Sequence, residues 1–411
     1  MKSDLDAIMQ ENGIDALLVT GAGFHNPAMV YLTGGGHMTQ ADLFKKRGEP
    51  AVLFCAPMER DEAAKTGLET RSYSAYPIKD LLQESGGDFN RAFGLRYVRI
   101  LTDLGLTAGR VAVYGQIEVG GMIAALPVIR EKLPDLKIVG YAKDPIFLRA
   151  MLTKDEGEIE RIRRISQITT QVVGQVAEFL THHPVKDGVL VRADGQPLTI
   201  GDVKNQINLW LAEKGADNPE ATIFAIGRDA GVPHSTGNPE EALRLGVPIV
   251  FDFFPCEGGG GYFSDFTRTW CLGYAPDDVR HIYDQVKYVY DQVVSELTVN
   301  TPFKKYQERT CEMFAEMGHP TIDQDPTTEV GYVHSLGHGV GLHIHEKPFS
   351  GSNADEADIL APGSVFTIEP GLYYPDKGIG VRLEDTYWVT PEGKIEALTH
   401  YPMDLVLPMQ S

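Results

Sequence analysis

Five ionisable side chains in the last third of the chain, Asp252, Asp265, His338, Glu369 and Glu384, each stand in a short stretch that reads as β-strand or tight turn. An unpaired carboxylate inside an apolar strand is costly, so a fold that carries these residues has to satisfy them. Four oxygen donors and one imidazole suit a pair of divalent cations, and the nitrogen favours a transition metal over calcium. Two such ions can ionise a water, which is the hard part of amide hydrolysis.

The local contexts give each residue a place. VPIVFDF (247–253) reads as a buried strand carrying an acid near its end. Four glycines (258–261) then predict a tight turn, and YFSDFTRTW (262–270) a returning strand. Such a hairpin can aim Asp252 and Asp265 at one point, although either acid taken alone reads more readily as a turn cap. VHSLGHGVGLHIHEKP (333–348) holds four of the chain's twelve histidines, His334, His338, His343 and His345. That density is not explained by isolated surface or core histidines. Its glycines permit close backbone approach, and the HExxH helix of zinc proteases is absent. SVFTIEPGLYYP (364–375) and IGVRLEDTYWV (379–389) each place a Glu after an apolar run. Pro370 and Gly371 are expected to end the first of these strands. Arg382 precedes Glu384 by two positions, so in extended chain they share a face, and Arg382 is expected to orient or neutralise that carboxylate. The alternative for this pair is a surface cross-strand ion pair.

A chain of 411 residues is long for one hydrophobic core, so two domains are expected, residues 1–150 and 151–411. In the first, strands are predicted at 16–20, 51–55, 110–115 and 137–141, and helices at 2–11, 58–66, 88–105 and 119–132, an α/β arrangement. No phosphate-cradling glycine motif follows these strands, and the glycines of YLTGGGH (31–37) read as turn residues. From Lys154 to Leu180 apolar residues recur at helical spacing, and the boundary is placed just before this helix. Residues 182–197 read as a loop. Further helices are expected at 200–214, N-capped by Thr199, at 278–297 and near 303–317, followed by strands and turns.

The net charge of −20 argues against nucleic acid and against anionic membrane surfaces. No run of 18 apolar residues and no apolar leader region are present, so a cytoplasmic protein without a membrane span is expected. Cys55, Cys256, Cys271 and Cys311 are widely separated, which suggests buried or free thiols of a reducing compartment.

The order Asp, Asp, His, Glu, Glu in these contexts resembles the pita-bread metallopeptidases: aminopeptidase P, prolidase, methionine aminopeptidase and the metal-free creatinase. YFSDFTRTW, HSLGHGVGLHIHEKP, FTIEPGLYYP and VRLEDTYWV each resemble one of the family's segments, and together they are specific. The resemblance implies an α/β and α+β architecture, with a creatinase/prolidase-like α/β domain followed by a pita-bread domain. It implies that Asp252 chelates one metal, that Asp265 and Glu384 bridge both, and that His338 and Glu369 complete the other shell. It also implies substrate-facing or proton-handling roles for His234, His334 and His345 beside Glu369 and Arg382. The expected cofactors are two divalent ions, Mn²⁺ foremost, with Co²⁺, Zn²⁺ or Fe²⁺ possible on the same ligands. The expected substrate is a peptide with proline after its N-terminal residue, and the expected assembly is a homodimer.

The implied reaction is hydrolysis of an Xaa-Pro bond. Glu369 would accept the proton of the attacking water, His345 or His234 would donate to the oxyanion, and His334 would help pass a proton to the leaving nitrogen. Two features depart from the family pattern. The spacing from Asp252 to Asp265 is 13 residues, longer than in most prolidases, with Phe254 where a glycine is usual, and the extra residues are expected to lengthen the turn at 256–261. Phe349 stands where prolidases commonly carry an arginine for a dipeptide's carboxylate, which favours longer peptides. The alternatives are a relative acting on a small non-peptide amide or zwitterion (creatinase-like, ectoine-hydrolase-like or a lyase) and a non-catalytic binding module.

Overall fold

The computed structural model describes residues 4–352 and 354–410. The chain divides into two compact units, one of the residues up to Ala150 with Gly259–Gly261, the other of Met151–Gly258 and the residues from Tyr262 onward.

The first unit is built on a six-stranded sheet in the order Glu69–Ser72, Ala51–Cys55, Ala41–Lys46, Ala16–Gly21, Gly109–Gln116, Leu136–Val139. Ala16–Gly21 runs antiparallel to Ala41–Lys46 and parallel to Gly109–Gln116, so the sheet is mixed. Helices Phe89–Asp103 and Val119–Lys132 bury Tyr97, Ile100, Ala125 and Ile129 in the same apolar cluster as Leu18, Phe44 and Phe54. Ala41–Lys46 is a strand beyond those expected, and it carries two charged residues, Asp42 and Lys45. Both are buried with partners: Asp42 accepts from the Tyr73 and Tyr97 hydroxyls at 2.7 and 3.0 Å, and Lys45 reaches Asp6 at 2.5 Å. The helix expected over 58–66 is instead a 3₁₀ turn, Pro57–Glu59, followed by Arg60–Ala64. The helix expected over 2–11 runs Leu5–Glu11, and its first two positions lie outside the described residues.

In the second unit the long helix is Glu156–Thr181, with a capping box in which Asp155 and Glu158 satisfy each other's backbone N–H. Its apolar stripe packs with helix Ile200–Glu213, itself capped by Thr199 and Asp202. Helices Asp277–Glu296 and Lys304–Glu316 bury their apolar faces in a second core with Phe366, Ile368, Val381 and Leu383. Residues 182–197 are not wholly loop, since Val185–Lys186 and Val189–Leu190 pair. Among the described residues no helix is long and apolar enough to cross a membrane. The four cysteines are buried, and none forms a disulfide among the described residues.

Three β assemblies position the acidic residues. A four-stranded sheet runs Ile223–Ile226, Pro248–Asp252, Thr267–Leu272, Val406–Leu407. A five-stranded sheet runs Glu346–Phe349, His338–Gly339, Val365–Ile368, Asp385–Val389, Ile395–Ala397. A ribbon pairs Gly371–Tyr374 with Ile379–Arg382. The bridge between Thr267 and Glu384 ties the first sheet to the chain between the other two.

Two local expectations are corrected. The returning strand of the hairpin begins at Thr267, opposite Asp252, so Asp265 stands before the strand and not within it. Between the two acids the chain leaves the sheet: Cys256–Glu257 pairs with Ala216–Asp217, and Gly259 and Gly260 turn it with φ of 85° and 75°. At Glu369, Pro370 breaks the ladder as expected, but Gly371 opens the next strand, because the chain passes from one sheet to another there.

Candidate active site

The ends of these sheets surround a cavity of about 440 Å³ lined by His234, Asp252, Asp265, His334, His338, His345, Glu369, Arg382 and Glu384, which are all of the residues selected from the sequence. His343 is not among its lining residues. Ligand atoms of Asp265, His338 and Glu384 lie within 4.8 Å of one another. His338 Nε2 stands 3.5 Å from Asp265 and 3.3 Å from Glu369.

Each side chain is aimed by its backbone. Asp265 is held by Thr386, whose hydroxyl donates to the Asp265 carbonyl at 2.7 Å and accepts from its N–H at 3.3 Å. The Thr367 hydroxyl accepts from His338 N–H at 3.2 Å and lies 3.5 Å from Glu369 Oε1, so the two neighbouring strands locate both groups. His338 Nδ1 faces the Gly339 carbonyl at 3.1 Å, which leaves Nε2 as the free nitrogen on the carboxylate side. Thr267 donates to Glu384 Oε2 at 2.7 Å.

The electrostatics is that of a crowded anionic site. Burial, compounded by Glu384, Asp252 and Glu369, pushes Asp265 well above the usual carboxylate range. Burial followed by Glu369 and Asp252 does the same to Glu384. Burial raises Glu369 to about 8, with Arg382 opposing. Burial lowers His334, His338 and His345 to about 3, 4 and 3, so all three are neutral at pH 7. Asp252 Oδ1 and Glu384 Oε1 are buried without a hydrogen-bond partner among the described residues. Two orphaned carboxylate oxygens beside a neutral imidazole, in a cluster that cannot all ionise alone, fit divalent metal ions.

Arg382 does not pair with Glu384 as its position in the sequence suggested. Its Nη2 reaches Asp252 Oδ2 at 2.5 Å, and its Nη1 donates to the Tyr373 hydroxyl at 2.6 Å and to the Pro233 carbonyl at 3.3 Å. The ribbon strand ends at Arg382 and the next strand opens at Asp385, so the alternation of faces assumed for one continuous strand is interrupted. Arg382 acts on Glu384 through Thr267, whose hydroxyl accepts from Arg382 Nε at 3.3 Å.

Tyr373 escaped the sequence reading. It is fully buried and its hydroxyl stands 2.9 Å from His334 Nε2. His334 Nδ1 lies 2.8 Å from the Ser335 carbonyl, which can only accept, so Nδ1 carries the proton and Nε2 accepts from Tyr373. Both nitrogens of His334 are thereby engaged. The only signal in the sequence was alternation, since Tyr373 lies two residues from Gly371 on the strand facing Arg382. The rest of the wall is mostly apolar, from Ile223, Pro233, Phe254, Ile344 and Phe349, with Glu220, Thr236 and Ser335 also lining the cavity.

Residues 160–391 match the model of metallopeptidase family M24. The uncharacterized peptidase YqhT of Bacillus subtilis is 26% identical over 396 residues, 96% of each chain. The Xaa-Pro dipeptidase of Pyrococcus horikoshii is 27% identical over 401 residues, 97% of this chain and 96% of its own. Among solved structures, an Xaa-Pro dipeptidase from Bacillus anthracis superposes with a TM-score of 0.75 at 22% identity, covering 98% of this chain and 97% of the other, which shows a shared fold. The same holds for an X-Pro aminopeptidase from Thermotoga maritima, with a TM-score of 0.74 at 23% identity and coverage of 97% and 99%. The family match spans more than half of the sequence and contains every acid of the cavity floor; this chain belongs to metallopeptidase family M24.

Proposed function

We propose that the protein is an exopeptidase that uses two divalent metal ions to hydrolyse the bond between an N-terminal residue and proline. The observation that carries this reading is the floor of the cavity: four carboxylates and His338 line it, and two buried carboxylate oxygens have no hydrogen-bond partner among the described residues. Asp252, Asp265 and Glu384, with His338 and Glu369, would hold the ions. When bound, such ions polarise a carbonyl and bring the pKa of water to about 7.

The protein's own groups divide the remaining work. Glu369 has the most accessible side chain among Asp252, Asp265, His338 and Glu369, at 14% exposure, and would take the proton of the attacking water. His345, neutral at pH 7, or His234, which lines the same cavity, would donate one N–H to the oxygen that gains charge. His334 has no free nitrogen, so in this reading it orients rather than shuttles, and Glu369 returns its proton to the leaving proline nitrogen. Arg382 would hold Asp252 in place and, being bound on both terminal nitrogens, would not serve a substrate carboxylate. That agrees with Phe349 in the wall: a peptide continuing past proline would fit better than a free dipeptide.

The test is a peptide panel of Xaa-Pro, Xaa-Pro-Yaa and Xaa-Ala-Yaa with added Mn²⁺. Cleavage of Xaa-Pro-Yaa with Xaa-Ala-Yaa spared is expected. A panel in which no Xaa-Pro bond is cut overturns the proposal.

A further inference from the structure

A buried ion pair lies behind the histidine segment. Lys154 Nζ contacts Glu346 Oε1, and the two side chains are 1% and 0% exposed. Lys154 lies outside every segment that suggested chemistry, two residues before the long helix, where its backbone N–H donates to the Gly363 carbonyl at 2.8 Å. Glu346 directly follows His345.

The surroundings of Glu346 are built to receive its charge. Its second carboxylate oxygen lies 3.4 Å from the His343 backbone N–H. A Cβ on Gly341 would collide with the carboxylate, so glycine there lets the side chain fold under the 341–345 turn. The turn closes by a bond from Gly341 N–H to the His343 carbonyl at 3.1 Å, and the strand behind it pairs Gly339 with Glu346. The carboxylate therefore braces the turn from inside, and the far end of that turn carries His345. The His345 and His338 rings meet edge to face, 4.2 Å between centroids, so a shift of the turn moves His345 against a fixed neighbour.

We propose that Lys154 is a positioning residue: by pairing with Glu346 it holds the turn that presents the His345 imidazole to the cavity. Without Lys154 a fully buried carboxylate would lack its only cationic partner among the described residues, and the turn would have to rearrange to reach water. Outer groups that orient active residues typically matter by about 10–100-fold in activity. The inference rests on the proposed role of His345 in the hydrolysis.

The experiment is a double-mutant cycle on the full chain loaded with Mn²⁺, using an Xaa-Pro-Yaa tripeptide: Lys154→Met, His345→Ala and the two combined. Lys154→Met is expected to lower kcat by about 10–100-fold with KM and bound metal close to wild type. Lys154→Arg, which keeps the charge, should recover most of that activity. In the His345→Ala background the loss from Lys154→Met should largely vanish, because both changes remove one function. Lys154→Met/Glu346→Gln, which leaves no buried ion unpaired, replaces Lys154→Met in the same cycle should the single variant not fold. Wild-type kcat in the Lys154 variant, additive losses, or loss of bound metal each overturn the positioning role. Wild-type kcat in His345→Ala alone instead overturns the role given to His345 in the hydrolysis.

Discussion

Glu384 and Asp385 are neighbours in sequence and equally buried, yet they stand in opposite circumstances. Asp385 is surrounded by partners: Arg268 at 3.0 and 3.1 Å, the Tyr290 hydroxyl at 2.7 Å and the Thr399 hydroxyl at 2.9 Å. Glu384 has a single hydroxyl donor, Thr267, and one oxygen with nothing to bind among the described residues. Burial raises the pKa of both, but at Asp385 the next influence is the opposing cation Arg268, and at Glu384 it is the like charges of Glu369 and Asp252. A carboxylate that a fold keeps for its own stability is satisfied by that fold. One kept for chemistry is left waiting for something the chain does not supply.

The comparison breaks most decisively by neutralising each acid in turn. Glu384→Gln should lower kcat by roughly 10⁴-fold, some 5–6 kcal/mol of barrier. The metal-free variant should melt no lower than wild type, since like-charge crowding is relieved. Asp385→Asn should do the reverse: a loss of about 3–5 kcal/mol in urea unfolding as Arg268 is left buried without its counter-charge, with kcat of the folded protein largely kept. If both variants lose stability alike, the distinction drawn between the two acids is wrong.

Acidity sharpens it further. Asp265 and Glu384 lie well above their ordinary values of 3.8 and 4.5, and Glu369 is raised from 4.5 to about 8. The contribution of Glu369 to metal-free stability is therefore full below about pH 4 and is lost as pH rises through about 8; that of Asp265 and Glu384 is likewise full at low pH and lost as pH climbs above their ordinary values. The three depressed histidines act oppositely: their contribution is full above 6.5 and is lost as pH falls toward 3–4. Between pH 6.5 and 8 the carboxylates dominate, so the metal-free Tm should fall across that window while the metal-loaded Tm stays flatter. Calorimetric titration of Mn²⁺ at pH 7 in buffers of different ionisation enthalpy should show net proton release. Uptake of protons would contradict the assignment of raised carboxylates.

The smallest expected effect lies at Tyr373, behind the cavity's histidine and arginine. Tyr373→Phe removes the hydroxyl shared by Arg382 and His334 but fills the same space, and should lower kcat about 10-fold with metal binding retained. Unchanged activity would mean that the tautomer of His334 does not matter to the reaction.

The acids of the floor were legible because each sits in a local context that announces it: a charge in an apolar strand, a glycine-rich histidine run, a proline straight after Glu369. Their meeting in one cavity rested on resemblance until the sheets were laid out. What escaped shares one physical cause, contact between residues far apart in the chain. Arg382 was assigned to Glu384, two positions away, whereas its partner Asp252 lies 130 positions away. Lys154 reads as an ordinary residue before a helix, and nothing near it hints at Glu346. The strand Ala41–Lys46 was missed for the same reason, because the partners that make Asp42 and Lys45 tolerable inside come from other elements. In the long helices, by contrast, spacing alone revealed the buried face of Glu156–Thr181, since that pattern is written in the helix itself.

The cavity separates its floor from its walls. Every hydrogen bond that aims the acids and histidines comes from threonines, backbone groups, Arg382 and Tyr373, while the apolar wall is Ile223, Pro233, Phe254, Ile344 and Phe349. Phe254, Phe349 and Ile223 supply none of those side-chain hydrogen bonds and suit exchange among apolar and small residues, whereas Ile344 lies in the turn that carries His345. For a designer this is a modular enzyme: one library confined to those three positions varies the wall while the hydrogen bonds that aim the floor stay in place.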